Sequence, residues 1–199
     1  MELTLDDVRE EDRGVISACG IVCLGCDVQK DESLEAAKTL VKIWEGFNLE
    51  DVGAAFGLEP KEISSTLSTL KKFIKLREEI GPCPGCFKGG WPSEICAIAK
   101  CVRSKGYWTC AECEDYNTES TRPCPHIDST STLMESRGEM SATVCKRYNL
   151  NNLENLKRCR EIGYSAFINE IREKVGNGWR TWQVISDEML FSESNIKNR

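Results

Sequence analysis

The sequence has little histidine and no long apolar run. Only His126 carries an imidazole among 199 residues, so a mechanism that needs two histidines is excluded. No window approaches the roughly 18 consecutive apolar residues of a membrane-spanning helix. The acidic start, residues 1–13, lacks the basic and apolar regions of a secretory signal. These absences predict a cytoplasmic protein with no membrane segment.

A surplus of positive charge is also missing. The chain has 26 Lys and Arg against 32 Asp and Glu, a formal net charge of -6. Because unspecific nucleic-acid binding requires basic side chains that neutralise phosphates, this balance argues against a nucleic-acid partner, including one bound by a zinc module. A serine nucleophile elbow, a glycine-rich phosphate loop and a local Cys/His pair are absent too. We therefore expect a non-catalytic role that involves an unidentified protein partner.

Cysteine is what the chain does contain. Twelve cysteines fall short of the roughly 8–10% typical of secreted disulfide scaffolds, yet they exceed what a core needs. In a reducing cytosol, closely spaced cysteines are more often metal ligands than disulfides. Ten of the twelve are clustered and are the predicted metal ligands: Cys19, Cys23, Cys26, Cys83, Cys86, Cys96, Cys101, Cys110, Cys113 and Cys124.

Three of the clusters have the spacing of metal-binding turns. They are C-x3-C-x2-C at 19–26, C-x2-C at 83–86 and C-x2-C at 110–113. A C-x2-C pair places two sulfurs on one side of a turn, and two pairs supply the four ligands of a tetrahedral zinc site. The pairs at 83–86 and 110–113 together resemble a zinc ribbon. Cys124 is then a candidate fourth ligand for the cluster at 19–26.

Other features leave the pairing and the metal open. Cys96 and Cys101 lie five residues apart on a predicted helix and can serve different centres. Thiolates suit both zinc and iron–sulfur clusters. A radical S-adenosylmethionine enzyme shares the C-x3-C-x2-C spacing, but the repeated strand–helix units of its barrel are absent. We expect structural zinc sites, with an iron–sulfur cluster for electron transfer or redox sensing as the alternative.

Apolar periodicity predicts a mainly helical fold. Two stripes lie between the first and second clusters: Leu34, Ala37, Leu40, Val41, Trp44 and Phe47, followed by Ile63, Leu67, Leu70, Phe73 and Ile74. Asp31 is the expected cap of the first helix, and Pro60 the expected start of the second. Any sheet is expected only as short hairpins at the cysteine turns, for example at 106–109.

The same patterns divide the chain. We predict a small cysteine-rich metal-knuckle domain at 14–126, with a helical insertion at 31–80. A connector rich in Ser and Thr follows at 127–152, and two further stripes predict a C-terminal helical extension at 153–191. Cys159 lies on one of these stripes and is expected to be a small buried hydrophobe. Cys145 is expected to be an inert thiol, and His126 a loop residue.

The order of the clusters resembles the prokaryotic domain of unknown function 3795 family over about residues 16–124. The resemblance is carried by Cys19-Gly-Ile-Val-Cys23-x2-Cys26, Cys83-Pro-Gly-Cys86, Cys96-Ala-Ile-Ala-Lys-Cys101, Cys110-x2-Cys113 and Pro123-Cys124. It implies a small cysteine-rich, zinc-binding domain of bacteria and archaea with no established reaction. The spacer at 114–123 is longer than the one in the family.

Overall fold

The protein divides into two compact units, one of which is inserted into the other. The computed structural model describes residues 3–90, 93–94, 96–116, 124 and 151–185. The main unit comprises Met1–Gln29 and Cys83–Arg199, and the inserted unit comprises Lys30–Pro82. The predicted connector at 127–152 lies almost wholly outside the described residues, as do Cys145 and His126.

Helices dominate both units, as predicted. The α-helices are α1 (Asp27–Lys30), α2 (Glu32–Gly46), α3 (Leu49–Val52), α4 (Pro60–Ile80), α5 (Ala97–Ser104), α6 (Asn152–Ile162) and α7 (Tyr164–Gly176). Short 3₁₀ helices include Glu10–Gly14, Cys86–Lys88 and Cys110–Glu112. None of the helices in the described part of the chain is long and apolar enough to cross a bilayer.

The inserted unit packs α2 and α3 against α4. Pro60 occupies the first turn of α4, where its missing N–H leaves no helical bond unmade, and Gly81 follows the last residue. Asp31 stands at the N-cap of α2 as expected, but its side chain makes no capping hydrogen bond. The Asp31 carboxylate instead accepts a hydrogen bond from Arg77 of α4.

The core of the inserted unit is small. Its buried members are Val41, Ile63 and Leu67, with Trp44, Leu49, Leu70 and Ile74 packed against them. Two members of the predicted α2 stripe are exposed, Leu40 at 37% and Phe47 at 60%. The expectation that the whole stripe is core was therefore wrong, because the helices packed against α2 cover less of its surface than the stripe spans.

The main unit has a larger core that joins its two separated segments. Ile16 and Val22 from the first segment, Ile98 and Val102 from α5, and the apolar faces of α6 and α7 belong to one cluster. At its centre, Trp108 is fully buried, and its indole N–H donates to the Arg13 carbonyl at 3.2 Å. The C-terminal helices, for which the sequence suggested no role, thus share the core of the cysteine-rich segment.

Strand structure is nearly absent from the part of the chain that the structure describes. A single antiparallel bridge joins Ile16 to Val22 at the first cysteine cluster. The hairpin expected at 106–109 was wrong, because Gly106 and Tyr107 close α5 and Thr109 caps the next 3₁₀ turn instead. There the Tyr107 N–H donates to the Val102 carbonyl at 3.0 Å, and Gly106 takes a φ of 72°.

Candidate functional site

Four cysteines line one small cavity in the main unit. These four residues, which we call the cavity group, are Cys101, Cys110, Cys113 and Cys124. The cavity has a volume of about 30 Å³, which is room for one water-sized body. Ile98 and Val102 supply apolar wall, and both of these side chains are buried.

Local backbone structure presents the sulfurs of the cavity group. Cys101 lies on α5, and Cys110 begins the 3₁₀ turn Cys110–Glu112. Thr109 caps this turn, because its hydroxyl oxygen accepts a hydrogen bond from the Ala111 N–H at 3.0 Å. The Glu112 carboxylate accepts from the Thr109 N–H at 3.2 Å and from the Tyr164 hydroxyl at 2.8 Å. The pair Thr109-x-x-Glu112 is a capping box that was visible in the sequence but was missed.

A basic side chain from α6 also holds this turn. The Arg160 guanidinium donates to the Ala111 carbonyl at 2.7 Å and to the Cys113 carbonyl. It also stacks over the Tyr116 ring, with 3.9 Å from its central carbon to the ring centre. No local sequence signal connects Arg160 to a turn almost 50 residues earlier. It is therefore a supporting residue that only the fold identifies.

A lysine and a buried thiol determine the electrostatics of the cavity group. Lys105 donates from its ammonium to the Cys113 sulfur at 3.1 Å and to the Asp115 carboxylate at 3.2 Å. These two hydrogen bonds raise the pKa of Lys105. Burial raises the pKa of the Cys110 thiol well above its usual value, and repulsion from Cys19, Cys124 and Cys113 adds to this rise. A cation that binds here must therefore displace protons from thiols.

The six remaining clustered cysteines belong to the segments on either side of the inserted unit. We call them the flanking group: Cys19, Cys23, Cys26, Cys83, Cys86 and Cys96. Cys86 is hydrogen-bonded to Cys23, which raises the pKa of the Cys86 thiol, and burial raises it further. Burial raises the pKa of Cys19 to about 12, with added repulsion from Cys86 and Cys96. Burial also raises the pKa of Cys26, and repulsion from Cys83 contributes.

Backbone contacts bring the two flanking segments side by side. The Cys83 N–H donates to the Val28 carbonyl at 2.9 Å. Gly85, with a φ of 92°, lies so close to Gly14 that an added Cβ would come within 2.8 Å of the Gly14 Cα. This close approach requires glycine at position 85 and brings the turn at 83–86 against the first segment.

The grouping differs from the pairing expected from spacing. The turn at 83–86 interacts with the cluster at 19–26, whereas the turn at 110–113 shares its cavity with Cys101 and Cys124. The zinc-ribbon pairing of the two turns is therefore not what the structure brings together. Cys124 lines the cavity, and Cys19 also acts on Cys110, so the assignment of Cys124 to the cluster at 19–26 stays a prediction.

The structure also locates Cys96, Cys101 and Cys159. Cys96 caps α5 and interacts with Cys19, whereas Cys101 lies in the cavity group, so the two belong to different groups. Cys159 is fully buried in the main core, which confirms its prediction as a hydrophobe. Burial raises the pKa of its thiol to about 12.

The donor chemistry suits a thiophilic metal, but the sulfurs are not gathered as ligands. Among residues 3–90, 93–94, 96–116, 124 and 151–185, no set of three or more Cys, His, Asp or Glu side chains is arranged to hold a metal ion. Each group nevertheless contains at least four thiols, the ligand type preferred by zinc and by iron–sulfur clusters. Metal binding would thus require the cysteine side chains of a group to move closer to one another.

The helical core and the two cysteine groups define a mainly helical, cysteine-rich protein. The chain belongs to the family described as a protein of unknown function, DUF3795, which matches residues 15–129 and so confirms the resemblance seen in the clusters. No curated protein and no solved structure matches the chain. Helices α6 and α7 lie beyond the matched residues, although they share the core of the matched segment.

Because Arg160 holds the turn of the cavity group, Arg160→Gln would weaken zinc binding by roughly 10–100-fold if the cavity group holds zinc, since this is the usual cost of losing an outer-shell partner of a metal ligand. The measurement is a competition titration against a chromophoric chelator. Arg158→Gln is the matched control, since Arg158 lies on the same helix and pairs with the exposed Glu170. Equal effects of the two substitutions would contradict the role of Arg160.

Proposed function

We propose that this protein binds metal ions through its clustered cysteines, with zinc as the resident metal, and that the sites are structural. The observation that carries the proposal is the cavity group, in which four thiols from three separate stretches of chain surround one small cavity. Cys101, Cys110, Cys113 and Cys124 would hold the ion. Zinc bound there would supply a cross-link between α5, the 3₁₀ turn and the segment that contains Cys124.

The charges around the cavity group support the proposal. Four thiolates and one divalent ion carry a net charge of -2, which a neighbouring cation stabilises. Lys105 is already hydrogen-bonded to the Cys113 sulfur and is placed to provide this charge. Arg160 stabilises the turn through two carbonyl groups and adds further positive charge nearby.

An iron–sulfur cluster is the second candidate for the metal centre. The observation in its favour is the flanking group, because six further thiols exceed the needs of a single closed zinc site. The ten predicted ligands therefore allow either two kinds of centre or one kind at both groups. In both cases the protein would act in the cytosol, where thiols remain reduced.

A protein partner is the proposed target of this scaffold. The inserted unit carries exposed apolar side chains, among them Ile43, Phe47 and Phe56. The rings of Phe47 and Phe56 lie 6.4 Å apart and so form one exposed aromatic patch. Exposed apolar side chains that cluster in this way are typical of protein interfaces. The acidic net charge continues to argue against nucleic acid.

Elemental analysis of protein purified without oxygen tests the proposed function. We expect at least one zinc ion per chain, a colourless solution, and loss of the metal to a strong chelator. Iron with acid-labile sulfide and visible absorption would replace the zinc proposal with the iron–sulfur alternative. Protein without zinc or iron, even after anaerobic reconstitution with each metal, would contradict both.

A further inference from the structure

The inserted unit contains a cleft that lies within Lys30–Pro82, a stretch of chain without cysteine. The cleft has a volume of about 560 Å³, which falls in the roughly 300–1,000 Å³ range of small-molecule sites. We call it the lysine cleft, because three lysines line it. Its lining includes Trp44, Leu49, Ser64, Ser68, Lys72 and Lys75. A ligand bound here would be independent of the cysteine groups.

One face of α4 supplies the polar wall of the lysine cleft. Ser64, Ser68, Lys72 and Lys75 follow one another at spacings of four, four and three residues, which places them on one side of the helix. Their two hydroxyl groups and two ammonium groups therefore form a row along the cleft. Ammonium groups donate charge-assisted hydrogen bonds to phosphate oxygens, and hydroxyl groups both donate and accept.

The end of α2 and the start of α3 supply the opposite wall. Asn48 lies between these helices with a φ of 53°, a left-handed conformation that asparagine adopts more readily than most residues. Trp44 and Leu49 on either side of this turn line the cleft and also pack against the core of the inserted unit. An indole held in this way offers a surface on which a planar ring can stack.

The lining carries a surplus of positive charge, although the whole chain has a net charge of -6. The ammonium groups of Lys71, Lys72 and Lys75 outnumber the carboxylates of Glu45 and Glu50. Lys71 is paired with Glu45 at 2.6 Å, so the surplus is centred on the other two lysines. This charge favours an anionic ligand, with its negative group beside α4.

The lysines of the cleft are accessible from solution. The Lys75 side chain is 80% exposed, and its ammonium lies 3.9 Å from the Glu79 carboxylate, which is itself exposed. An exposed pair at this distance contributes little to stability, so a phosphate group can take the place of the carboxylate.

We propose that the lysine cleft binds a nucleotide, with the base at Trp44 and the phosphates at Lys72 and Lys75. The half-buried indole suits the planar base, and the two lysines suit the phosphates. Ser64 and Ser68 stand on the same row of α4 and are placed to hydrogen-bond the sugar or a phosphate. This site goes beyond the proposed metal binding and does not depend on it.

Full-length protein is titrated with ADP, GDP, CDP and UDP by isothermal titration calorimetry. We expect at least one of them to bind with a dissociation constant below about 1 mM. We also expect that nucleotide to shift the NMR signal of the Trp44 indole N–H, which a Trp44→Phe variant assigns. Its nucleoside and inorganic phosphate should each bind at least about tenfold more weakly, because each makes only part of the contacts.

Three results of these titrations would overturn the proposal. They are no binding of any of the four nucleotides, binding that leaves the Trp44 signal unchanged, and phosphate binding as tight as that of the nucleotide. Metal content is measured on the same samples, so the nucleotide site and the metal sites are judged separately.

A pair of double variants locates the site. Lys72→Gln combined with Lys75→Gln should lower the nucleotide affinity at least about tenfold, because it removes both phosphate partners. Lys42→Gln combined with Lys61→Gln is the matched control, since it removes the same charge from exposed positions of α2 and α4 outside the lining. Circular dichroism checks that both variants are folded. Equal affinities of the two double variants would overturn the proposal.

Discussion

Cys113→Ser is expected to remove one metal ion per chain and to destabilise residues 81–124. Cys113 is buried at the cavity, and its loss leaves three thiols, a serine hydroxyl and the charged Lys105 around the cavity. Structural zinc contributes its binding free energy to folding, so we expect a loss of more than about 4 kcal/mol in the free energy of unfolding. Metal analysis and hydrogen exchange over this segment measure the two effects.

Two further variants test whether the effect of Cys113→Ser is specific to the cavity group. Cys159→Ala also removes a buried cysteine, but one outside both groups, and it should keep the full metal content. Cys83→Ser should lower the metal content too if the flanking group holds an ion. Unchanged metal content and melting temperature in Cys113→Ser would contradict the assignment of the cavity group.

Trp108→Ala is expected to cost about 3–5 kcal/mol in the free energy of unfolding, the usual range for removing a large buried aromatic side chain. Trp108 has no exposed surface, and its ring packs edge-on against Tyr164 with 4.6 Å between ring centres. The substitution also leaves the Arg13 carbonyl without the indole donor. Urea denaturation with chelator present isolates this loss from any effect of metal.

Trp182→Ala is the matched control, because 48% of Trp182 is exposed and its loss should change stability by less than about 0.5 kcal/mol. The Tyr164 hydroxyl hydrogen-bonds to Thr109 at 2.9 Å and to Glu112, next to Cys110 and Cys113. Trp108→Ala should therefore also speed the release of metal from the cavity group. Equal stability losses for the two tryptophan variants would contradict the central place of Trp108 in the core.

The ends of a helix were predicted correctly where residues at the end itself determine its position. Pro60 begins α4 and Gly81 follows its end, because the missing N–H of proline and the backbone freedom of glycine act at their own positions. The prediction that Leu40 and Phe47 are buried was wrong, because burial depends on how much of α2 the neighbouring helices cover. Periodicity identifies an apolar face but not the area available to cover it.

The grouping of the cysteines also depends on tertiary contacts that local sequence patterns do not reveal. Spacing identifies a C-x2-C turn, because two cysteines three positions apart are brought together by the local backbone. It does not identify which segments meet, which depends on contacts such as the close approach of Gly85 to Gly14. The support that Arg160 gives to the cavity group also crosses a long stretch of chain and has no local signature.

Composition, periodicity and cysteine spacing are local properties of the chain, and they were enough to predict a mainly helical, cysteine-rich protein of the DUF3795 family. The cavity lined by Cys101, Cys110, Cys113 and Cys124 and the place of α6 and α7 in the core became visible only in the folded structure. These features depend on contacts between residues far apart in sequence, and packing of the whole main unit selects among the pairings that spacing allows.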